Sequence, residues 1–231
     1  MYQYLYAIAD RLPSRWRSPS ASVGGPVALR RLDDLVAVVS SVERRPEANA
    51  RTLALHHDVV ASTLEAEGMV PFRFGTLVAA SDLDAWLAAH APLVRTTLAQ
   101  LRGCVEMSVK LLRLHCGHSI ERTCRECADG APGVVQLREL AESLVTQSGI
   151  ERWRYRSPGS GSNVAGSVAF LVPRSEVDDF LARIAPVASR ATGVAVVPTG
   201  PWPAYSFVPS FDRYPPARVS EPVRRAGRLA Y

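Results

Sequence analysis

Along residues 69–78, MVPFRFGTLV, the chain alternates: Val70, Phe72, Phe74, Thr76 and Val78 fall on one side of an extended segment, and Pro71, Arg73, Gly75 and Leu77 on the other. A two-residue period predicts a strand. Arg73, set between two phenylalanines, is a charge that needs a partner. Glu106 is the expected one, giving a buried Arg73–Glu106 pair. Residues 2–9 are apolar on both alternating faces, with Tyr2, Tyr4, Tyr6 and Ile8 against Leu5, Ala7 and Ala9. That pattern predicts a central strand covered on both sides. Residues 13–26 read as a loop, and 27–32 and 35–42 as short strands around the turn pair Asp33-Asp34.

Helical spacing follows. Pro46 opens a helix expected to run to about Glu67, stopped by Gly68. Its apolar stripe is Leu53, Val60 and Leu64, with His57 on the same stripe and His56 one position round, beside Val59 and Thr63. Neighbours on a helix point about 100° apart, so the two histidines cannot face one ligand. His57 is expected to be a hydrogen-bonded core or boundary residue. Ser81 and Asp84 have the spacing of an N-cap and its third helical position. The helix they start carries Leu83, Trp86, Leu87, His90, Val94, Leu98 and Leu101, with Pro92 expected to kink or split it before Gly103. Residues 104–114 alternate as a strand, Val105, Met107, Val109 and Leu111 against Glu106, Ser108, Lys110 and Leu112.

Beyond residues 115–133, the pattern predicts a helix over 134–147 and strands over 151–156 and 164–172, joined by the flexible SPGSGSN of 157–163. Ser175 is placed to cap a further helix, followed by a strand over 193–199, a rigid GPWP turn at 200–203 and a last short strand over 205–208. Residues 77–92 also align without a gap on 171–186, with identities that include Leu77/Leu171, Ser81/Ser175, Asp84/Asp178, Leu87/Leu181 and Pro92/Pro186. The repeat predicts an α+β fold of two domains, each a small sheet packed with helices, ferredoxin-like in character and related by internal duplication. The expected division is an N-terminal domain over 1–114, a Cys/His-rich segment over 115–133, a C-terminal domain over 134–211, and a basic tail over 212–231 without fixed structure.

Composition narrows the function. The chain has 231 residues, 21% charged, with a net charge of +5 that is almost entirely arginine; Lys110 is the one lysine. No run of eighteen apolar residues is present, and the N-terminus lacks the pattern of a signal peptide, so a cytoplasmic address is expected. The arginines of the tail have no aromatic platform beside them, which argues against nucleic acid as a partner. No nucleophile elbow, phosphate-binding loop or zinc-protease helix occurs; 157–163 has the composition of a phosphate loop but not its Gly-Lys-Ser/Thr ending. Within HCGHSIERTCREC, Cys116, His118, Cys124 and Cys127 could supply a Cys3His zinc site, with His115 as a substitute ligand. Redox-sensitive thiols and chance clustering are the other readings. Structural zinc is thus the one cofactor the sequence raises, and none is required.

PFRFGTL (71–77), preceded by a helix carrying His56-His57, resembles the gas vesicle protein L/F family. YLYAIA (4–9), CVEMSVKLL (104–112) and GPWPAYSFV (200–208) look like further landmarks of that family in the same order, so the resemblance spans nearly all of residues 1–211. It implies a non-enzymatic assembly or minor structural protein of gas vesicles, located at the vesicle in the cytoplasm. Its implied partners are the hydrophobic shell protein and other accessory proteins, not nucleic acid or a lipid membrane. The family's known folds are two-domain α+β with ferredoxin-like character. It offers no agreed functional residue. Arg73 and the aromatics Trp202, Tyr205 and Phe207 are therefore the partner-binding candidates, the aromatics having closure of the second core as their other reading. The competing function is a ferredoxin-like small-molecule-binding protein or enzyme of unknown substrate.

Overall fold

A computed structural model describes residues 1–114, 134–156 and 164–211. Strand β1 (Tyr2–Ala9) lies inside the first sheet, whose order is β2 (Ala28–Leu32), β3 (Leu35–Val42), β1 and β4 (Met69–Pro71), with β5 (Leu77–Ala79) also on β1. Every pairing is antiparallel. Residues 4 to 9 of β1 are wholly buried, as expected for a strand covered on both faces. The faces do not simply alternate, however. A bulge between Leu5 and Ala7 lets Tyr6 and Ala7 turn to the same side. Leu5 and Ile8 therefore join one core, and Tyr4, Tyr6, Ala7 and Ala9 the other.

Helix α1 (Ala50–Ser62) covers the tyrosine face, with Val59 and Val60 buried against it. It is shorter than the pattern suggested. Asn49 caps it by accepting from the Thr52 amide at 3.0 Å, while the Thr52 hydroxyl receives the Asn49 amide at 3.1 Å. At the other end the Ser62 and Thr63 hydroxyls donate to carbonyls three residues back and the chain turns away. The buried stripe is also rotated: His56 is inside, His57 is half-buried and Leu53 is exposed. The loop after β1 lies over the same face. The Tyr6 hydroxyl receives the Val23 amide at 2.8 Å and contacts Ser40 Oγ at 3.0 Å, pinning the loop where a first ferredoxin-like helix would sit.

The opposite face meets α2 (Leu83–Leu101), through Leu83, Trp86, Leu87, Val94 and Leu98. Pro92 neither splits nor ends this helix. It sits on the solvent side, where the carbonyl it leaves unpaired can reach water. The N-cap is Asp82, and Ser81 instead donates to the Asp82 carboxylate at 2.8 Å.

The second sheet runs β7 (Trp153–Arg156), β8 (Val164–Pro173), β6 (Cys104–Arg113), β9 (Val194–Trp202). Helices α3 (Val134–Ser148) and α4 (Val177–Arg190) cover one face, burying Met107, Val109, Leu111, Val168, Phe170, Phe180 and Ile184. A 3-10 turn (Arg174–Glu176) precedes α4, so Ser175 lies ahead of the helix and does not cap it. The chain order β6–α3–β7–β8–α4–β9 with this strand order is the ferredoxin-like arrangement. The first sheet repeats it as β1–loop–β2–β3–α1–β4/β5, giving an α+β fold of two sheets.

Two expectations change here. The stretch 104–114, assigned to the first half, forms the β6 strand paired with β8 and β9 inside the second sheet. The aligned segments 77–92 and 171–186 also occupy different places, since β5 flanks the first sheet while β8 is internal to the second. The recurring unit of the fold is β1–β5 against β6–β9. The GPWP segment likewise extends β9 to Trp202, with a bulge opposite β6 between Glu106 and Ser108. Gly200 sits at that bulge with φ +133°, and a Cβ there would lie 2.8 Å from Met107 Sδ and 2.9 Å from the Glu106 carbonyl.

Gly200→Ala should therefore cost about 2–4 kcal/mol in urea unfolding, from strain plus collision with the backbone. Gly103→Ala, at φ +70° but facing open space, should cost only about 1 kcal/mol. Equal losses would show that the β6–β9 approach does not depend on the missing side chain.

Candidate functional site

After β9 the chain crosses from the second sheet to the first. Residues expected to form a last strand make a 3-10 turn instead, Tyr205–Phe207. Three residues per turn send consecutive side chains about 120° apart, and each meets a different body. A strand would offer only two directions.

Tyr205 reaches the first unit, its hydroxyl 3.3 Å from His56 Nε2. His56 Nδ1 lies 2.9 Å from the Tyr4 hydroxyl, which also accepts the Gly75 amide at 3.1 Å. Burial pushes the imidazole pKa down to about 4, helped by neighbouring His57 and opposed by the Phe72 carbonyl, so His56 is neutral at physiological pH. Burial raises the Tyr4 and Tyr205 phenols far above their ordinary range. Ser206 turns to β6: its amide and hydroxyl donate to the two Glu106 carboxylate oxygens at 2.8 and 2.7 Å. Glu106 is buried, which raises its pKa, while the Ser206 hydrogen bonds and the charge of Arg156 pull the other way. Phe207 enters the core between the sheets, with the Arg152 and Arg154 guanidiniums 6.0 and 5.7 Å from its ring centroid. Phe211 completes that core against Phe72, at 5.1 Å between rings.

The Arg73–Glu106 pair does not form. Residues 69–78 are two short strands separated by a loop, because 72–76 must fit opposite Leu5 and Tyr6 alone. The Phe72 amide donates to the Tyr6 carbonyl at 2.8 Å and the Thr76 carbonyl receives the Leu5 amide at 3.0 Å, so the chain between them bows outward. The Thr76 hydroxyl closes the loop on the Arg73 carbonyl at 2.8 Å, and Gly75 takes φ +83°. Arg73 is left exposed, and Phe72 and Phe74 enter different cores. Glu106 finds its donors in Ser206.

Of the partner-binding candidates, Arg73 and Trp202 are exposed, whereas Tyr205 is half-buried and Phe207 buried. Trp202 meets His57 edge-on at 5.5 Å and donates to Thr199 Oγ1 at 3.2 Å. The zinc candidates Cys116, His118, Cys124 and Cys127 lie outside the described residues, and among the described residues no cluster of metal-ligating side chains occurs. A surface missed in the sequence lies on β7, an edge strand paired with β8. Trp153 and Tyr155 are 39% and 41% exposed and, with Ala141 and Val145 of α3, line a groove of about 620 Å³. WRYR carried the signal: its alternation sends two aromatics to one face and Arg154 and Arg156 to the other.

The buried His56 gives a signed pH dependence. Its folded pKa lies below the ordinary 6.5, so the unfolded chain binds the proton first and stability falls as pH drops from 6.5 toward 4, by up to roughly 3 kcal/mol. Glu106, raised by burial, acts oppositely and loses stability as pH rises above its unfolded value. Urea unfolding between pH 4 and 7 should show a shallower acid loss in His56→Gln than in the parent. Glu106→Gln should show a steeper one. Parallel curves in all three proteins would contradict the assignment.

Comparison with known proteins places this architecture. The chain is 25% identical to gas vesicle protein L2 of Halobacterium salinarum, over 90% of this chain and 91% of that protein. It is 26% identical to gas vesicle protein F2 of the same organism, over 75% and 76% of the two chains. Crystal structures of the gas vesicle protein GvpF share the fold. That from Anabaena sp. PCC7120 matches with a TM-score of 0.71 at 16% identity, covering 92% of this chain and 98% of the other. That from Microcystis aeruginosa matches with a TM-score of 0.65 at 14% identity, covering 89% and 98%. The model of the gas vesicle synthesis protein GvpL/GvpF family matches residues 3–157 and 134–209, and the chain belongs to that family.

Proposed function

We propose that the chain acts in gas vesicle formation as a non-enzymatic assembly protein that holds the hydrophobic shell protein and meets other gas vesicle proteins at the vesicle, in the cytoplasm. Family membership supports the vesicle role. The observation that carries the binding role is the β7 edge: Trp153 and Tyr155 stand exposed beside an apolar groove, on a strand whose outer side has no paired strand among the described residues. An extended apolar segment could add to that edge through backbone hydrogen bonds and seat alternate side chains in the groove. Large aromatics are the anchors such contacts rest on. Among the described residues no helix is long and apolar enough to cross a membrane. Trp202 and Arg73, both exposed, are proposed as further contacts; Tyr205 and Phe207 hold the two sheets together beneath them.

The test is capture of purified shell protein by the full chain. Trp153→Ser combined with Tyr155→Ser should weaken capture about tenfold or more. Both side chains keep about three-fifths of their area buried, so the double variant should also lose about 2 kcal/mol or more in urea unfolding, and capture is compared under conditions where both proteins remain folded. Undiminished capture would remove the β7 groove from the mechanism, and the same assay on Trp202→Ser and Arg73→Gln would then decide between the other two contacts.

A further inference from the structure

The outward loop after β4 builds a second cavity, on the first unit. It holds about 380 Å³ and is lined by Arg45, Arg73 and Gly75, with the aromatic walls Phe74, Trp86 and Phe211. Among the described residues no carboxylate lines it and neither arginine takes part in an ion pair. Arg45 lies beside the loop that carries Arg73: a Cβ on Gly75 would stand 3.5 Å from an Arg45 guanidinium nitrogen, an ordinary contact distance. The loop is held in shape from behind by the Gly75 amide on the Tyr4 hydroxyl and by Thr76 on the Arg73 carbonyl.

Two guanidiniums facing one cavity repel each other, and an anion placed between them relieves the repulsion. Guanidinium forks match a carboxylate in paired, near-parallel hydrogen bonds. The space exceeds what a lone oxyanion fills and falls within the range of small-ligand pockets, and its aromatic walls call for an apolar group beside the charge. We propose that this cavity binds a peptide carboxylate flanked by a bulky apolar residue, on a protein partner. The carboxylate is either an acidic side chain or a chain's C-terminal group. The inference is independent of the β7 groove, which lies on the other unit.

Fluorescent hexapeptides of glycine-serine-glycine-serine-phenylalanine followed by glutamate or glutamine, each as the free acid and the amide, separate the sources when titrated against the full chain. The glutamate free acid should bind, and the glutamine amide, which has no carboxylate, should not. Retained binding of the glutamate amide identifies the side chain as the group read; retained binding of the glutamine free acid identifies the chain terminus. Arg45→Gln or Arg73→Gln should each weaken binding about tenfold with the unfolding midpoint unchanged, and Arg45→Lys should fall between. Equal binding of all four peptides, binding of none at millimolar concentration, or arginine variants that bind like the parent would each overturn the site. Displacement by equimolar inorganic phosphate would reduce it to a general anion site and overturn the peptide assignment.

Discussion

The structure depends on one turn of three side chains. Tyr205, Ser206 and Phe207 follow one another on a 3-10 turn and are taken up by His56, Glu106 and the core between the sheets. Two of these partners are titratable groups inside the protein, and each is tolerable there only because the turn supplies hydrogen-bonding atoms. Glu106 would otherwise be a buried carboxylate without donors on the open face of β6. His56 would present one ring nitrogen to an apolar surface. Polar satisfaction of the first and second sheets is thus shared through a segment belonging to neither.

That arrangement explains what could be read in advance. Hydrophobic period identified β1, β2, β3, β6 and the helices, because it records which side chains are buried. It could not locate inserted residues. The bulge at Tyr6 moves Ile8 to the opposite core from Tyr6 itself, and the loop over 72–76 breaks one expected strand into two. In both cases the pattern ran on while the backbone did not. In the sequence Arg73 is the charge that needs a partner, and Glu106 answers it by opposite sign alone. The actual donors, an amide and a hydroxyl from Ser206, have no charge signature to find. The position of β6 is hidden for another reason: a long Cys/His-rich stretch follows it in the sequence and reads as a boundary, although β6 pairs with β8 and β9 beyond that stretch.

The surfaces available to partners fall on opposite ends of the same logic. Strand β7 separates its residues by face, aromatics toward the helices and arginines toward the other side, so one edge carries both an apolar and a cationic aspect. On the first unit, the outward loop does with an irregular backbone what β7 does with a regular one. It divides Phe72 from Phe74 and leaves Arg73 at the surface.

Timing during synthesis follows from the same turn. Tyr205 closes on a histidine 149 residues earlier. At ribosomal rates of about 5–20 residues per second, His56 waits roughly 7–30 seconds for that hydroxyl to be made. Once Leu101 has been made, for roughly the last two-thirds of the wait, the first sheet, α1 and α2 are complete, with Tyr4 already on one side of the imidazole. Phe72 and Trp86 meanwhile face the place that Phe211 will fill. A nascent chain of this protein therefore passes through a stage with one folded unit and an uncovered aromatic face, the stage at which a chaperone or a premature partner would find it.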